Sequence, residues 1–236
     1  MATVRYLAMT ASEFTIARHL PSNIGWMACH FSPYGSGLMD LPNELPRDSL
    51  LILNDRISIK GHDRQKIAGQ LSRTVETFGC KGILLDFQQP GSDELKELAS
   101  YLVSALPCPT AVSEPYALGL NCPVFLSPCP HHVPLKEHLK SRQGREIWLD
   151  LALDSEEIRI APEGTDFRPL SGHLRLPTEH ADQKLYCHYS IALTEKSALF
   201  TLWRTQADVE SLAAEAENLG VAAFVGLYQE LGPKKS

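Results

Sequence analysis

The sequence predicts one α/β domain over residues 1–236, a (β/α)₈ TIM barrel with a small antiparallel insertion near residues 154–200. Three observations predict this fold. The length of 236 residues suits a barrel, which routinely uses about 200 to 250 residues as one domain. Eight short runs are almost continuously apolar, as expected of strands that are buried on both faces. Segments with helical periodicity separate several of these runs, which is typical of parallel strands joined by crossover helices.

The eight apolar runs define the predicted barrel strands in chain order. Each is four to eight residues long, the usual strand length, and turn residues flank most of them. The predicted strands are Val4–Met9, Ile24–Cys29, Leu50–Asn54, Gly82–Phe87, Thr110–Glu114, Pro123–Ser127, Ile147–Leu153 and Val221–Tyr228.

Three segments repeat apolar residues every three or four positions and therefore predict amphipathic helices. Gly79 follows the first segment, in the position where glycine commonly ends a helix. Thr205 precedes the third, and Asp208 three residues later completes a capping-box pair. The apolar stripes cover residues 67–78, 95–106 and 209–219. Other crossovers, notably around residues 116–121, are too short for a full helix, so the predicted barrel is irregular.

One segment departs from the alternation of strand and helix. Residues 154–200 contain a strand pattern at Glu157–Ile160 and a hairpin pattern formed by Leu185–Leu193 and Ala198–Trp203 around residues 194–196. This predicts an antiparallel insertion between the seventh and eighth barrel strands. An open, doubly wound sheet is the alternative fold, although neither GxGxxG nor GxxxxGK[ST] follows any predicted strand.

Charge and hydropathy exclude two classes of partner. The chain carries 22 Lys and Arg against 28 Asp and Glu, for a net charge of −6, and its one basic cluster is Lys234-Lys235. Phosphate contacts need clustered Lys and Arg, so we expect no nucleic-acid binding. No stretch approaches the roughly 20 apolar residues of a membrane span, and the N-terminus lacks a signal-peptide pattern. We therefore expect no membrane partner and a cytoplasmic location.

The cysteines and histidines predict neither disulfides nor a metal site. Six cysteines are scattered without a CxxC pair, as expected of reduced thiols. Cys122, Cys129, His131 and His132 lie within eleven residues, but their spacing matches no zinc pattern and prolines stiffen the segment. We interpret this segment as strand and turn, and expect no metal and no cofactor.

Active sites of such barrels lie at the carboxyl ends of the strands, and one of these ends carries a family resemblance. Residues 81–90, KGILLDFQQP, resemble the fourth-strand signature DxxDxDxE of glycoside hydrolase family 18, the chitinases and related proteins. Gly82, Ile83 and Pro90 match the common form DGIDLDWEYP. The final run, residues 221–231, resembles the last strand of the family, and the insertion after the seventh strand falls where many members carry one.

The resemblance implies a degenerate site. In the family the last Glu of the signature is the catalytic acid, and the preceding Asp helps to orient the acetamido group that acts as internal nucleophile. Gln88 takes the acid position, and an amide has no pKa suited to proton donation. Leu84 takes the inner Asp position, so only Asp86 remains. The glycine-rich third-strand motif is replaced by residues 51–55, LILND. We therefore expect no family-type chitinase activity.

Six residues are candidates for the site. Asp86 and Glu114 end neighbouring predicted strands, which lie about 4.8 Å apart, so they are candidate catalytic residues for a retaining carboxylate pair. Asp86 and Gln88 also share one side of their strand. Packing or turn roles are the alternative for Glu114 and for both aromatic residues below. The candidate substrate-binding residues are Asp55, Gln88, Tyr228 and Trp26, the last two as platforms for sugar rings.

Three functions therefore stay open. The first is a degenerate family-18-like barrel that binds a carbohydrate or a protein partner, with an oligosaccharide as the candidate ligand. The second is an active intracellular glycosidase that uses Asp86 with Glu114 as a relocated pair. The third is a scaffold protein without chemistry. A barrel fold does not choose among them, nor does the sequence specify an oligomeric state.

Overall fold

The structure is a computed structural model that describes residues 3–17, 19–35, 37–89, 91–140, 142, 144–170 and 180–233. Pro90 of the family signature and the basic pair Lys234-Lys235 lie outside the described residues. The chain divides into two compact units. The barrel unit comprises residues 1–127, 144–150 and 221–236, and the insertion unit comprises residues 128–143 and 151–220.

The secondary-structure elements follow the predicted order. The strands are β1 Val4–Met9, β2 Ile24–Phe31, β3 Leu38–Met39, β4 Leu50–Asn54, β5 Gly82–Asp86, β6 Thr110–Ser113, β7 Val124–Leu126, β8 Ile147–Leu151, β9 Ser155–Ala161, β10 Gly164–Leu170, β11 His180–Asp182, β12 Cys187–Leu193, β13 Ala198–Trp203 and β14 Ala223–Leu227. The helices are α1 Ala11–Ile16, α2 Arg64–Phe78, α3 Asp93–Ala105, α4 Glu114–Ala117, α5 Leu135–Lys140, α6 Gln206–Asn218 and α7 Tyr228–Leu231.

Eight parallel strands close into a barrel, which confirms the predicted (β/α)₈ architecture. Their order is β1-β14-β8-β7-β6-β5-β4-β2, and parallel pairing of β2 with β1 completes the circle. The short strand β3 pairs antiparallel with the end of β2. Each of the eight predicted runs overlaps one of the eight parallel strands, although most strands end one or two residues from the predicted limit.

The interior of the barrel is filled by inward-facing apolar side chains. Because side chains alternate along a strand, Ile52 and Leu84 face inward one step before the last inward positions of β4 and β5. Leu84 is 1% exposed and belongs to the interior cluster. The next inward positions, Asn54 and Asp86, are register partners at the carboxyl ends of their strands. The alternation therefore delivers two polar groups side by side at the barrel mouth.

The predicted helical stripes form the buried faces of α2, α3 and α6. Gly79 ends α2 with φ of 65°, a left-handed conformation that glycine adopts without a Cβ penalty. Thr205 and Asp208 form the predicted capping box of α6. Between β6 and β7 there is only the four-residue helix α4, as the short crossover predicted. None of the described helices is both long and apolar enough to cross a membrane.

The insertion unit contains a five-stranded antiparallel sheet with the order β10-β9-β13-β12-β11. The predicted hairpin is β12 and β13, and the predicted strand at residues 157–160 lies within β9. The two edge strands, β10 and β11, have no counterpart among the predicted strands. Both are almost entirely exposed, so their sequences lack the apolar alternation by which buried strands are recognised.

Gly82 of the family signature has a steric role at the start of β5. A Cβ at this position would lie 2.9 Å from the backbone oxygen of Pro109, and backbone cannot move as a flexible side chain can. We expect Gly82→Ala to lower the free energy of unfolding by about 2 kcal/mol, the usual cost of overpacking. Chemical denaturation measures this. Gly69→Ala in α2 is the control, because no atom lies within 4 Å of the added carbon; equal effects of the two substitutions would contradict the steric role.

Candidate functional site

An open pocket of about 840 Å³ lies in the barrel unit at the carboxyl ends of β1, β2, β4 and β5. This is the end at which barrels of this kind carry their active sites. Apolar side chains such as Met27 and Ile52 form part of its wall. Its charged and amide side chains are His30, Asp40, Asn54, Asp55, Arg56, Asp86, Gln88 and Gln89. Three of the six predicted site residues therefore line one cavity: Asp55, Asp86 and Gln88.

Asp86 and Gln88 form a hydrogen-bonded pair in the pocket. Gln88 Nε2 donates to Asp86 Oδ1, and Gln88 is exposed whereas Asp86 is partly buried. Burial raises the pKa of Asp86; the hydrogen bond from Gln88 lowers it, and the charge of Asp55 raises it again. A carboxyl group of this kind suits proton transfer or the binding of a cation. The hydrogen-bond partner of Asp86 cannot act as a carboxylic acid, because residue 88 is an amide.

Asp55 holds the loop that follows β5. Asp55 is 4% exposed. Its carboxylate accepts hydrogen bonds from the backbone N–H of Gln88 at 3.0 Å and of Gln89 at 2.8 Å. Gln89 Nε2 donates in turn to the backbone oxygen of Asp55. The acceptors of Asp55 are thus occupied by backbone, so Asp55 positions Gln88, whereas direct substrate contact was predicted for it.

Three further pocket residues were not among the six candidates. Asn54 Nδ2 donates to the backbone oxygens of Met27 and Cys29, both at 3.0 Å, across an irregularity in β2. His30 Nδ1 lies 2.9 Å from Ala28 O and 3.7 Å from Asp40 Oδ2. His30 was missed because β2 extends to Phe31, two residues beyond the predicted strand end. Asp40 follows β3, for which the sequence showed no strand pattern.

Glu114, the predicted partner of Asp86, is not among the residues that line the pocket. Strand β6 ends at Ser113, one residue earlier than predicted, and Glu114 begins helix α4. Ser113 itself is buried beside β5, where its Oγ accepts from the N–H of Phe87 at 2.7 Å and donates to Leu85 O at 2.8 Å. The carboxylates that share the pocket with Asp86 are Asp40 and Asp55.

Neither aromatic candidate presents its ring to the pocket. Trp26 is 6% exposed; its ring packs edge-on against Phe14 with centroids 5.6 Å apart, and Nε1 donates to Asp40 O at 2.8 Å. Burial of the ring corresponds to the packing alternative for Trp26, and the indole holds the backbone at Asp40. Tyr228 is half-buried as the first residue of α7 and is not part of the pocket lining.

Within the described residues, no group of three or more His, Cys, Asp or Glu side chains is arranged to hold a metal ion. Cys122 and Cys129 are free thiols, and burial raises the pKa of both. Such thiols are poor metal ligands because the thiolate is the ligating form. The side chains that line the pocket and could take part in chemistry are its carboxylates, its amides, His30 and Arg56.

Comparison with known proteins gives structural similarity without sequence similarity. No protein-family model matches the sequence, and no curated protein matches it either. A glycoside hydrolase family 18 N-acetylglucosaminidase from Paenibacillus barengoltzii has a TM-score of 0.62 at 12% identity, with 98% of each chain covered. The family 18 chitinase from Cycas revoluta, in complex with (GlcNAc)3, has a TM-score of 0.58 at 11% identity, covering 95% of this chain and 94% of that one.

A third similar structure is described as a chitinase-like agglutinin, RobpsCRA from Robinia pseudoacacia. It has a TM-score of 0.55 at 12% identity, covering 94% of this chain and 93% of the agglutinin. Identities of this size show the fold alone. The resemblance first seen in residues 81–90 is thus confirmed for the barrel as a whole: this chain has the fold of the glycoside hydrolase family 18 chitinases and chitinase-like proteins.

Proposed function

We propose that this protein binds an oligosaccharide in the pocket around Asp86 and does not hydrolyse it. The observation that carries the proposal is the Asp86–Gln88 pair: the position that the family uses for its acid holds an amide, and that amide donates a hydrogen bond to the carboxylate that remains. An amide stabilises the carboxylate of Asp86 but cannot protonate a glycosidic oxygen.

The residue below this pair supports the loss of catalysis. Leu84 fills the inner position of the family signature and is buried in the apolar interior of the barrel. No carboxylate stands there to share protons with Asp86. The alternative of a relocated pair is weakened in the same way, because Glu114 lies outside the lining of the pocket. The remaining alternative, a scaffold protein, gives no reason for an open pocket lined by carboxylates and amides at the barrel mouth.

The pocket itself supports binding. A volume of about 840 Å³ is within the size range of ligand sites, and it combines an apolar wall with a few polar groups, as such sites do. Two proteins of the same fold are described by their sugar ligand or as an agglutinin, which makes an oligosaccharide the first ligand class to test.

The test of this proposal is calorimetric titration of the full chain with oligomers of N-acetylglucosamine, glucosamine and glucose. We expect saturable binding of at least one oligomer, weakened by Asp86→Ala. Glu76→Gln is the matched control, because Glu76 is exposed on α2 and is not part of the pocket. Absence of binding to all three oligomers would contradict the proposal and leave the scaffold or a protein partner.

The proposal also predicts the activity of the wild-type protein and of the variant Gln88→Glu. We expect no appreciable cleavage of aryl-glycosides by the wild-type protein and only trace cleavage by Gln88→Glu. The new carboxyl would lie beside Asp86, and two close carboxylates raise the pKa of one of them, which suits an acid catalyst. Only a trace is expected because Leu84 still occupies the position of the second Asp of the signature, so that Asp is not there beside the new carboxyl.

Release of the aryl group from a panel of substrates measures this activity. Robust wild-type turnover that is abolished by Glu114→Gln would replace the proposal with the relocated-pair glycosidase. Wild-type turnover that is indifferent to Glu114→Gln would contradict both functions.

A further inference from the structure

The charges of the pocket are unbalanced toward negative. Asp40, Asp55 and Asp86 contribute carboxylates, against Arg56 and the titratable His30. Among the described residues, neither Asp55 nor Asp86 forms an ion pair with a cationic side chain. Within the pocket, His30 Nδ1 and Asp40 Oδ2 lie 3.7 Å apart, close enough for an ion pair when the histidine is protonated.

The amide hydrogen-bond donors of the pocket are largely used within the protein, whereas the described hydrogen bond of Arg56 comes from its backbone N–H and leaves the guanidinium available. Asn54 directs both hydrogens of Nδ2 to backbone oxygens. Gln88 Nε2 donates to Asp86, and Gln89 Nε2 donates to the backbone of Asp55. His30 Nδ1 lies within hydrogen-bond distance of Ala28 O. The amides of the pocket therefore offer a ligand few free donors, and the exposed guanidinium of Arg56 is the donor group that a carbonyl or an anion would meet.

The acceptors are less used. Among the described residues the hydrogen bond from Gln88 is the one that Asp86 receives, and it occupies Oδ1, so Oδ2 remains available to a ligand. The Asp40 side chain is 58% exposed. Asp55 accepts only neutral backbone N–H groups, which satisfy its lone pairs and leave its charge in place. A ligand that brings donors and positive charge therefore complements the site.

An ammonium group has both properties. It carries three N–H donors, and hydrogen bonds between ionised partners are about twice as strong as neutral ones. Burial raises the pKa of Asp86, so the ionised form of this carboxyl gains from a cation that replaces the lost water. Apolar wall residues such as Met27 and Ile52 would contact the non-polar face of a sugar ring.

We propose that the ligand of this pocket is an oligomer of amino sugars whose amino groups are free and positively charged, held through Asp86 and Asp40, in preference to the N-acetylated oligomer. The inference rests on the proposed oligosaccharide binding and specifies its chemistry. It follows from the carboxylates that line the pocket, since acetylation removes the positive charge and two of the three N–H donors.

The experiment is titration of the full 236-residue chain at about pH 6, where amino sugars are largely protonated, with pentamers of glucosamine, N-acetylglucosamine and glucose. We expect the glucosamine pentamer to bind at least about tenfold more tightly than the other two. Raising the salt from about 20 to about 200 mM should weaken its binding severalfold, because salt screens exposed charges. Asp86→Asn and Asp40→Asn should each reduce the preference for glucosamine.

The control separates the pocket from general attraction between a polycation and an acidic protein. Glu76→Gln removes one negative charge, as Asp86→Asn does, but outside the pocket. We expect it to leave the preference unchanged, with thermal unfolding of every variant checking that the barrel remains folded. Equal effects of Glu76→Gln and Asp86→Asn would overturn the proposal.

Three other outcomes would also overturn it, in distinguishable ways. Binding of the N-acetylglucosamine pentamer at least as tightly as glucosamine would refute the charge preference and leave the proposed oligosaccharide binding intact. Spermidine binding as tightly as the glucosamine pentamer would assign the pocket to ammonium ions without a sugar. Failure of all three pentamers to bind would remove the proposed function itself.

Discussion

Replacement of Asp55 by alanine is expected to lower the free energy of unfolding by about 3 kcal/mol and to abolish ligand binding in the pocket. The carboxylate of Asp55 is buried and accepts the backbone N–H groups of Gln88 and Gln89. Removal of a buried acceptor costs about 1 to 3 kcal/mol for each donor left unsatisfied, and two donors are involved here. The loop that carries Gln88 then loses its anchor to the end of β4.

Chemical denaturation and oligosaccharide titration measure the two effects. Asp55→Asn keeps one side-chain oxygen as an acceptor, so we expect a smaller loss of stability and partial retention of binding. Glu76→Ala, on the exposed face of α2, should change the free energy of unfolding by less than about 0.5 kcal/mol. If Asp55→Ala were as stable as Glu76→Ala, the anchoring role of Asp55 would be wrong.

The sequence allowed the barrel to be predicted because its strands are buried on both faces. Runs such as Leu50–Asn54 and Gly82–Asp86 are almost entirely apolar, so their composition alone identifies them. The edge strand β10 is exposed along nearly its whole length, and backbone hydrogen bonds to β9 hold it. Backbone pairing leaves no signature in side-chain pattern, which is why the sequence did not predict β10.

The site residues also divide into those that a single segment of sequence identifies and those that depend on pairing between segments. Asp86 and Gln88 were predictable, because alternation along β5 places them on one side at the strand end and the family signature marks them. His30 and Asp40 come together through the extension of β2 and its pairing with β3, where His30 faces Met39. Pairing between segments some ten residues apart cannot be deduced from either segment alone.

For Trp26 and Glu114, position in a predicted strand was not enough to predict whether the side chain lines the pocket. Glu114 was predicted at the end of its strand as a partner of Asp86, and Trp26 as a platform for a sugar ring. Whether a side chain lines the pocket depends on the side of the strand on which its residue lies. In β2 the register shifts between Trp26 and Cys29. Ser113 is the last residue of β6 and bonds to β5, and Glu114 is already the first residue of helix α4.

The second large effect concerns the insertion unit, where His131 is buried without charge. His131 is 1% exposed, and its Nε2 lies 3.4 Å from Asp154 Oδ1. Burial, followed by the positive charge of Arg204, lowers the pKa of His131 from 6.5 to about 3. Arg204 is itself 2% exposed and donates to Cys129 O at 2.6 Å, so its charge is fixed close to the histidine.

This shift makes stability depend on pH with a definite sign. Between pH 6.5 and about 3 the unfolded chain protonates His131 while the folded protein does not. The unfolded state then binds more protons, so the free energy of unfolding falls as the pH is lowered. At about pH 4.5 the loss from this one residue amounts to about 3 kcal/mol relative to neutral pH.

Urea denaturation of the wild type and of His131→Gln at a series of pH values between about 4 and 8 tests this expectation. Glutamine does not titrate, so the variant should lose less stability between pH 7 and 4.5 than the wild type, by about 3 kcal/mol. His19→Gln is the matched control, because it makes the same substitution at an exposed histidine. Parallel profiles for the wild type and His131→Gln would show that His131 takes up its proton in the folded protein, together with a rearrangement of Arg204 or Asp154.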